Sequence, residues 1–265
     1  MSFIFCPLFS GSSGNAVYVG AGDTHLLIDA GVSAKAVMGA LATLGVNPAS
    51  LQGILVTHEH SDHIRGVGTL SRKLNVPVYA NEGTWAAMGG KLGEVSPRNQ
   101  RVFRTGEDFY IQNIDVSPFA TPHDAAAPVG FALHALGHKA AVATDLGHLQ
   151  QGWMRAVAGA DVLLLEANHD TMMLERGRYP QALKARIRGR NGHLSNEDCG
   201  KALCELVASG VRTCVLGHLS DENNLPELAY QAVRDALSAR GIACGADCWL
   251  DVAWRDRVGN RYAIG

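Results

Sequence analysis

Residues 57–63 read Thr-His-Glu-His-Ser-Asp-His, directly after the apolar run 54–56. A short apolar run bounded by polar residues reads as a buried strand, so the histidine-rich segment leaves a sheet edge and enters a helix. His58, His60, Asp62 and His63 thus put four potential metal ligands into six positions of one loop. The fold must present that loop at the end of a strand, where other strand ends can contribute donors. His58 and His60, two apart in extended chain, point the same way. Asp62 and His63, at the helix start, project from turned backbone toward a second point. Two metal ions are therefore expected, and a pair about 3.5–4 Å apart would clamp an oxyanion and bridge a hydroxide at neutral pH, which is hydrolytic chemistry.

Further ligands should end other strands on the same edge. Three residues meet that condition: His123 in FATPHDA, Asp145 in AVATDLGH and His218 in CVLGHLS, each just past a β-rich run. The carboxylate of Asp145 has two oxygens and can serve both ions, whereas each imidazole serves one.

The rest of the chain supplies strands to carry these ends. Runs at 3–9, 16–19 and 25–28, separated by the turn-formers of SGSSGN and GAGD, read as successive antiparallel strands. A helix over 33–44 precedes the 54–56 strand, and one from about 63 to 74 follows it. Strands are expected at 76–80, in pieces over 101–119, and at 129–135, 140–143, 162–165 and 213–216. Helices begin after Leu194 and span about 225–240, with closing strands in 242–254. Strand clusters under covering helices predict an α/β (α+β) chain, a four-layer αββα sandwich of two mixed sheets. No low-complexity linker divides the 265 residues, so residues 1–265 read as one domain.

Composition excludes several classes. The chain is 47% hydrophobic and 18% charged, the balance of a soluble protein, and no apolar run approaches the roughly 18 residues of a membrane span. Six cysteines without a CxxC pair suit a reducing compartment, and MSFIFCPLFSGSSG lacks the basic start of a secretory signal, so cytoplasmic residence is expected. A net charge of −2 rules out a basic coating protein, yet residues 176–190 hold six lysines and arginines and no acid. That run is either a solvated helix face or a phosphate-binding flank.

The ordered set T-H-x-H-x-D-H, His, Asp, His resembles the metallo-β-lactamase-fold hydrolase superfamily over essentially the whole chain. SGSSGN, IDAG, THEHSDHIRG, ATDLGH, LLLEANHD, GHLSNED and LGHLSDENN together resemble its YycJ/WalJ branch, a DNA exonuclease group related to ribonuclease Z and phosphodiesterase members. The resemblance implies one metal on His58, His60 and His123, a second on Asp62, His63 and His218, and Asp145 bridging them. It also implies 5′-to-3′ removal of nucleotides from DNA, with DNA favoured over RNA as the partner, and a nucleophile oriented by Asp62. Zinc, manganese and iron all accept such donors.

GHLS occurs twice, at Gly192 and at Gly217. His218 ends a strand, where a ligand is needed. His193 instead precedes a helix whose Ser195 and Asp198 form a capping box, so helix amides and the basic run could meet a phosphate beside it. Ribonuclease Z-like relatives carry a Glu after a strand and a His before a later helix as a proton-donating pair, and Glu166 and His193 are similar in placement. Glu166 would then fix the imidazole that protonates the leaving oxygen. Substrate contacts are expected from Ser12, Ser13 and Asn15 of SGSSGN, from His169, and from Lys184 and Arg188 of the basic run. His25, His134 and His138 read as structural, and His148 as either site wall or loop surface.

Rival readings remain open on sequence alone. The same scaffold supports RNA processing or cleavage of cyclic phosphodiesters, thiolesters or lactams. The basic run and the Glu166/His193 pair weigh against the last two. A redox di-iron site would favour a carboxylate where this chain has His60, and a non-catalytic regulatory protein could keep metals for stability alone.

Overall fold

Two seven-stranded sheets account for the strands of the computed structural model, which describes residues 2–265. The first holds β1 (Phe3–Phe9), β2 (Ala16–Ala21), β3 (Thr24–Ile28), β4 (Gly53–Leu55), β5 (Val78–Asn81) and β6 (Gln100–Phe103) in that order. The second runs from β7 (Phe109–Ile111) through β8 (Ile114–Ala120), β9 (Val129–Ala135), β10 (His138–Ala143), β11 (Val162–Glu166) and β12 (Thr213–Gly217) to β13 (Trp249–Val252). A last strand, β14 (Tyr262–Ile264), returns to pair antiparallel with β1. Each sheet is antiparallel on one side and parallel on the other: β3 to β6 and β10 to β13 run parallel.

Period-two alternation sorts the core into three slabs. Along β1, Phe3 and Phe5 face the second sheet, while Ile4, Cys6 and Leu8 face helices. Along β11, Val162 and Leu164 join the slab between the sheets, while Leu163 and Leu165 point outward. Over the first sheet lie α1 (Ala34–Thr43), α3 (Val67–Leu74) and α4 (Glu82–Met88), contributing Val37, Leu41, Leu70 and Met88. Between α1 and α3 comes the single turn α2 (Ser61–Ile64). The second sheet is covered by α5 (Gln151–Val157), α8 (Asn196–Ala208) and α9 (Pro226–Ala239), through Trp153, Leu203, Val233 and Leu237. Two short helices, α6 (Thr171–Arg176) and α7 (Gln181–Ile187), carry the basic run. This is the αββα sandwich expected from the strand pattern.

The differences from expectation are local. The helix expected over 63–74 is broken into α2 and α3 because Gly66 passes close to the loop after β3. Its N–H donates to the Ala30 carbonyl at 2.7 Å, and a Cβ there would lie 2.5 Å from the Val32 oxygen. Residues 101–119 resolve into three strands, α4 has no counterpart in the sequence pattern, and the final strand lies beyond residue 254, paired across the whole sequence with β1. Among the described residues, no helix is long and apolar enough to cross a membrane.

Candidate metal centre and catalytic site

The loops that follow β4, β8, β10 and β12 converge on one point. Ligand atoms of His58, His60 and His123 lie within 4.8 Å of one another, as do those of His58, His63 and Asp145, and those of Asp62, His63 and His218. The individual separations are informative. His123 Nε2 is 3.3 Å from His60 Nδ1 and 3.5 Å from Asp145 Oδ1. His63 Nε2 is 3.4 Å from Asp145 Oδ2 and 3.5 Å from Asp62 Oδ2, and His218 Nε2 is 3.5 Å from that same Asp62 oxygen. These distances are long for hydrogen bonds, but they match the edge of about 3.4 Å in a tetrahedron of ligands bonded at ~2.1 Å. His58 Nε2 and Asp145 Oδ2 are buried and have no hydrogen-bond partner. Two such atoms aimed into a nest of imidazoles fit divalent cations, so the donor set is that of a metal centre.

Four of the five ligand imidazoles, those of His58, His63, His123 and His218, are held from behind, which fixes the nitrogen each presents. Thr57 Oγ1 lies 3.0 Å from His58 Nδ1, Asp29 Oδ2 lies 2.7 Å from His63 Nδ1, and the Gly192 carbonyl lies 3.1 Å from His123 Nδ1. Asp29 also accepts from the Thr57 amide and hydroxyl at 2.8 Å. Asp29, Asp145 and His218 all turn the chain at a strand end with φ of 60°, 59° and 55°, a left-handed conformation that swings each side chain off its strand into the centre. Glycine is required at Gly31, where a Cβ would fall 1.5 Å from the Asp62 carbonyl oxygen.

Glu166 joins the two GHLS segments. Fully buried at the end of β11, its Oε1 accepts from His193 Nδ1 and from His218 Nδ1, each at 2.8 Å. Its Oε2 accepts from the amides of Leu146 at 2.7 Å and Leu194 at 3.1 Å. Burial alone would raise this carboxyl, but the charge and hydrogen bond of His193, joined by His218, outweigh it and pull the pKa down to about 2. Burial likewise opposes the charge on His218, yet Asp145, Asp62 and Glu166 lift it to about 10. Asp62 follows the same logic: burial raises it, and His63 and His218 push it well below the carboxylate range. For His58 and His123 burial wins, so both are neutral imidazoles, the form that ligates a cation.

The expected substrate contacts divide. Ser12 is exposed beside the site, and its hydroxyl accepts from the Asp221 amide. Ser13 is exposed and makes no hydrogen bond to the site among the described residues. Asn15 is buried, bonded to Gly11 through both ends of its amide and 3.2 Å from His63 Nε2, where it braces the ligand loop. The Lys184 side chain turns inward and its ammonium donates to the Glu175 carbonyl at 2.6 Å, tying α7 to α6. Arg188 folds back toward the Lys184 carbonyl, and Arg186, two residues earlier in the chain, instead pairs with Asp124 next to His123. His169 is buried with an unpartnered Nδ1, and burial lowers its pKa to about 4. His148 holds the Arg190 carbonyl at 2.7 Å, a role in fastening the loop. Sequence reasoning gave no role to Asp29, although its signal, an acid ending a strand in IDAG, was present.

Comparison with known proteins agrees with this geometry. A family model described as a beta-lactamase superfamily domain matches residues 24–219. The exodeoxyribonuclease YycJ of Bacillus anthracis is 40% identical over 245 residues, covering 92% of this chain and 93% of that protein. The exodeoxyribonuclease WalJ of Streptococcus pneumoniae is 39% identical over 249 residues, 93% of each. Among solved structures, the metallo-beta-lactamase fold protein YhfI from Bacillus subtilis superposes with a TM-score of 0.75 at 15% identity, over 99% of this chain and 100% of that one. The chain belongs to the beta-lactamase superfamily and is one of its metal-dependent hydrolases.

Proposed function

We propose that this protein is a DNA phosphodiesterase, a 5′-to-3′ exodeoxyribonuclease, with residues 1–265 forming one catalytic domain. One observation carries the reading: His193, held by Glu166 at 2.8 Å, stands at the rim of the metal cluster with its ring 4.9 Å from that of His123 and 5.3 Å from that of His218. A thiolester or lactam needs an oxyanion stabiliser but no phosphate-binding flank, so the basic segment beside this Glu166/His193 pair weighs against both. Two divalent ions, zinc or manganese with iron as an alternative, would be held by His58, His60 and His123 and by Asp62, His63 and His218, with Asp145 shared. When bound, they supply charge neutralisation at the phosphoryl oxygens and a water acidified to a nucleophile at neutral pH.

The protein's own residues do the rest. Asp62 has a side chain still 21% exposed and can accept a hydrogen bond from the attacking water, orienting it. Glu166 accepts the hydrogen bond of His193 Nδ1–H, so Nε2 faces the substrate and, when protonated, can deliver its proton to the departing 3′ oxygen. Asp29, Thr57 and Asn15 keep the ligand loop in place. The homologous exodeoxyribonucleases support DNA as substrate. Six free thiols suit a reducing, cytoplasmic setting. The test is hydrolysis of end-labelled single- and double-stranded DNA and RNA with zinc or manganese, by wild type and Asp145→Asn. Activity on DNA that is lost in the variant is expected, and a wild type inert on DNA but active on thiolesters would refute the reading.

A further inference from the structure

Beside His193 lies a cavity of about 160 Å³ whose wall combines Tyr179, Leu183 and Ile187 with Asn168, Ser12 and Arg186. Resting on the DNA-hydrolase reading above, we propose that this cavity seats the 5′-terminal nucleotide of the strand under attack, with its base against Tyr179 and Leu183 and its 5′-phosphate on Arg186.

Position identifies which nucleotide enters. The proton donor is itself part of the cavity wall, so the group inside is the one that bears the leaving oxygen. In the reaction, the oxygen of water forms the new bond to phosphorus and the bond from phosphorus to the 3′ oxygen breaks. His193 Nε2 protonates that oxygen, and the proton released by the attacking water restores the imidazole. The occupant therefore departs with a free 3′-hydroxyl, while the remaining strand keeps the phosphate as its new 5′ end. This is removal from the 5′ terminus.

Shape and chemistry agree. Leu183 and Ile187 from α7 and Tyr179 from the turn before it give an apolar wall with one aromatic ring. Asn168, Ser12 and Ser220, from the loops after β11, β1 and β12, give hydrogen-bonding edges. A flat apolar face bordered by polar edges is what a nucleobase and its sugar present to a protein. The volume, about 160 Å³, is below the roughly 300–1,000 Å³ of sites that enclose whole small molecules, so it takes one base and leaves the sugar and phosphate at its mouth, beside Arg186. Arg186 supplies the charge. Its Nε is engaged by Asp124, which fixes the guanidinium plane, its side chain is 56% exposed, and its two terminal nitrogens have no hydrogen-bond partner among the described residues. A guanidinium so oriented is a two-pronged donor for a terminal phosphate.

The experiment uses the full chain loaded with manganese or zinc and three substrates: 5′-phosphorylated and 5′-hydroxyl linear oligonucleotides and circular single-stranded DNA. Wild type should release mononucleotides from 5′-phosphate ends and leave the circle intact. Leu183→Trp, which fills the cavity, and Tyr179→Ala, which removes its face, should each raise KM by about tenfold or more, with kcat changing less. Arg186→Ala should abolish the preference for phosphorylated over hydroxyl ends. Deoxycytidine 5′-monophosphate should bind wild type in calorimetry and fail to bind Leu183→Trp. The proposal is overturned if wild type degrades linear DNA while both cavity variants, folded by circular dichroism, keep its KM, or if wild type cuts the circle as fast as the linear strand. A persistent phosphate preference in Arg186→Ala removes the assignment of that residue. A wild type that hydrolyses no DNA with either metal overturns the underlying reading, a result distinct from all of these.

Discussion

Replacing Glu166 with Gln tests the coupling between the proton donor and the metal centre most severely. The carboxylate accepts four hydrogen bonds in a fully buried position, two from histidine Nδ1 atoms and two from backbone amides. A carboxamide accepts through its oxygen only, and its NH₂ group can only donate. If that oxygen faces the histidines, the NH₂ confronts the amides of Leu146 and Leu194, and two buried donors lose their acceptor. At about 1–3 kcal/mol each, the loss is about 2–6 kcal/mol, a fall in melting temperature of about 5–20 °C for a chain this long. If the amide is turned the other way, both imidazoles must accept at Nδ1 and carry their proton on Nε2. His218 then presents a proton instead of a lone pair to the metal, and His193 is held as the neutral tautomer, without the carboxylate that supports its protonated form. Loss of an outer-shell partner of this kind costs about 10–100-fold in metal affinity, and loss of the general acid about 10²–10⁴-fold in turnover. Metal content by plasma emission spectrometry after dialysis, melting temperature and kcat should all fall together. A Glu166→Gln protein that keeps its full metal content and a kcat within about twofold of wild type would refute the reasoning.

His193→Ala should lower kcat by about 10²–10⁴-fold while metal content stays full, because His218 still anchors Glu166; metal loss in this variant would move His193 into the ligand set. His58→Ala removes a buried neutral donor and should abolish metal retention and hydrolysis together, read by metal analysis and the nuclease assay. Lys184→Met should cost about 1–2 kcal/mol of stability by chemical denaturation and leave KM for DNA unchanged, since the ammonium braces α6 against α7; a raised KM would return it to the substrate surface. In metal-free protein, Glu166 has a folded pKa of about 2, against 4.5 for an ordinary glutamate. A depressed carboxylate contributes stability that is complete above the unfolded value, so the melting temperature should fall as pH drops from about 4.5 toward 2, and Glu166→Gln should flatten that decline.

The parts of this molecule that are local in sequence were legible from it. The loop 57–63 announces its own chemistry, and His123, Asp145 and His218 each sit one step past an apolar run that can only be a strand. β1 and β11 are equally readable as continuous apolar runs, because a strand covered on both faces must be apolar on both, although such a run does not say which layer each residue faces. What escaped depends on direction or on distant partners. Nothing near Lys184 in sequence says that its side chain turns inward toward Glu175, nor that Arg186 rather than Arg188 meets Asp124, since a helix face is chosen by what it packs against. Asn15 looked like a substrate contact because turn-rich loops commonly bind anions; its fate is decided by Asp62 and His63, nearly fifty residues away. Glu166 was readable as the partner of His193, but its second bond to His218 requires knowing that β11 and β12 are neighbours.

The left-handed residues at the strand ends bear on how such an enzyme could decay. Aspartate and histidine are among the few chiral residues that tolerate this backbone conformation, which is how one position serves both the turn and the chemistry. Asparagine tolerates it at least as well and brings no buried charge. Asp145→Asn keeps this turn and should lose its metals altogether, at the cost of the carboxylate that supports the charge of His63 and His218 in the metal-free protein. For a lineage released from selection on activity, drift at this position would leave the backbone turn in place. A descendant could keep that turn and be chemically silent, and the identity of the residue at position 145 is the first place to look for it.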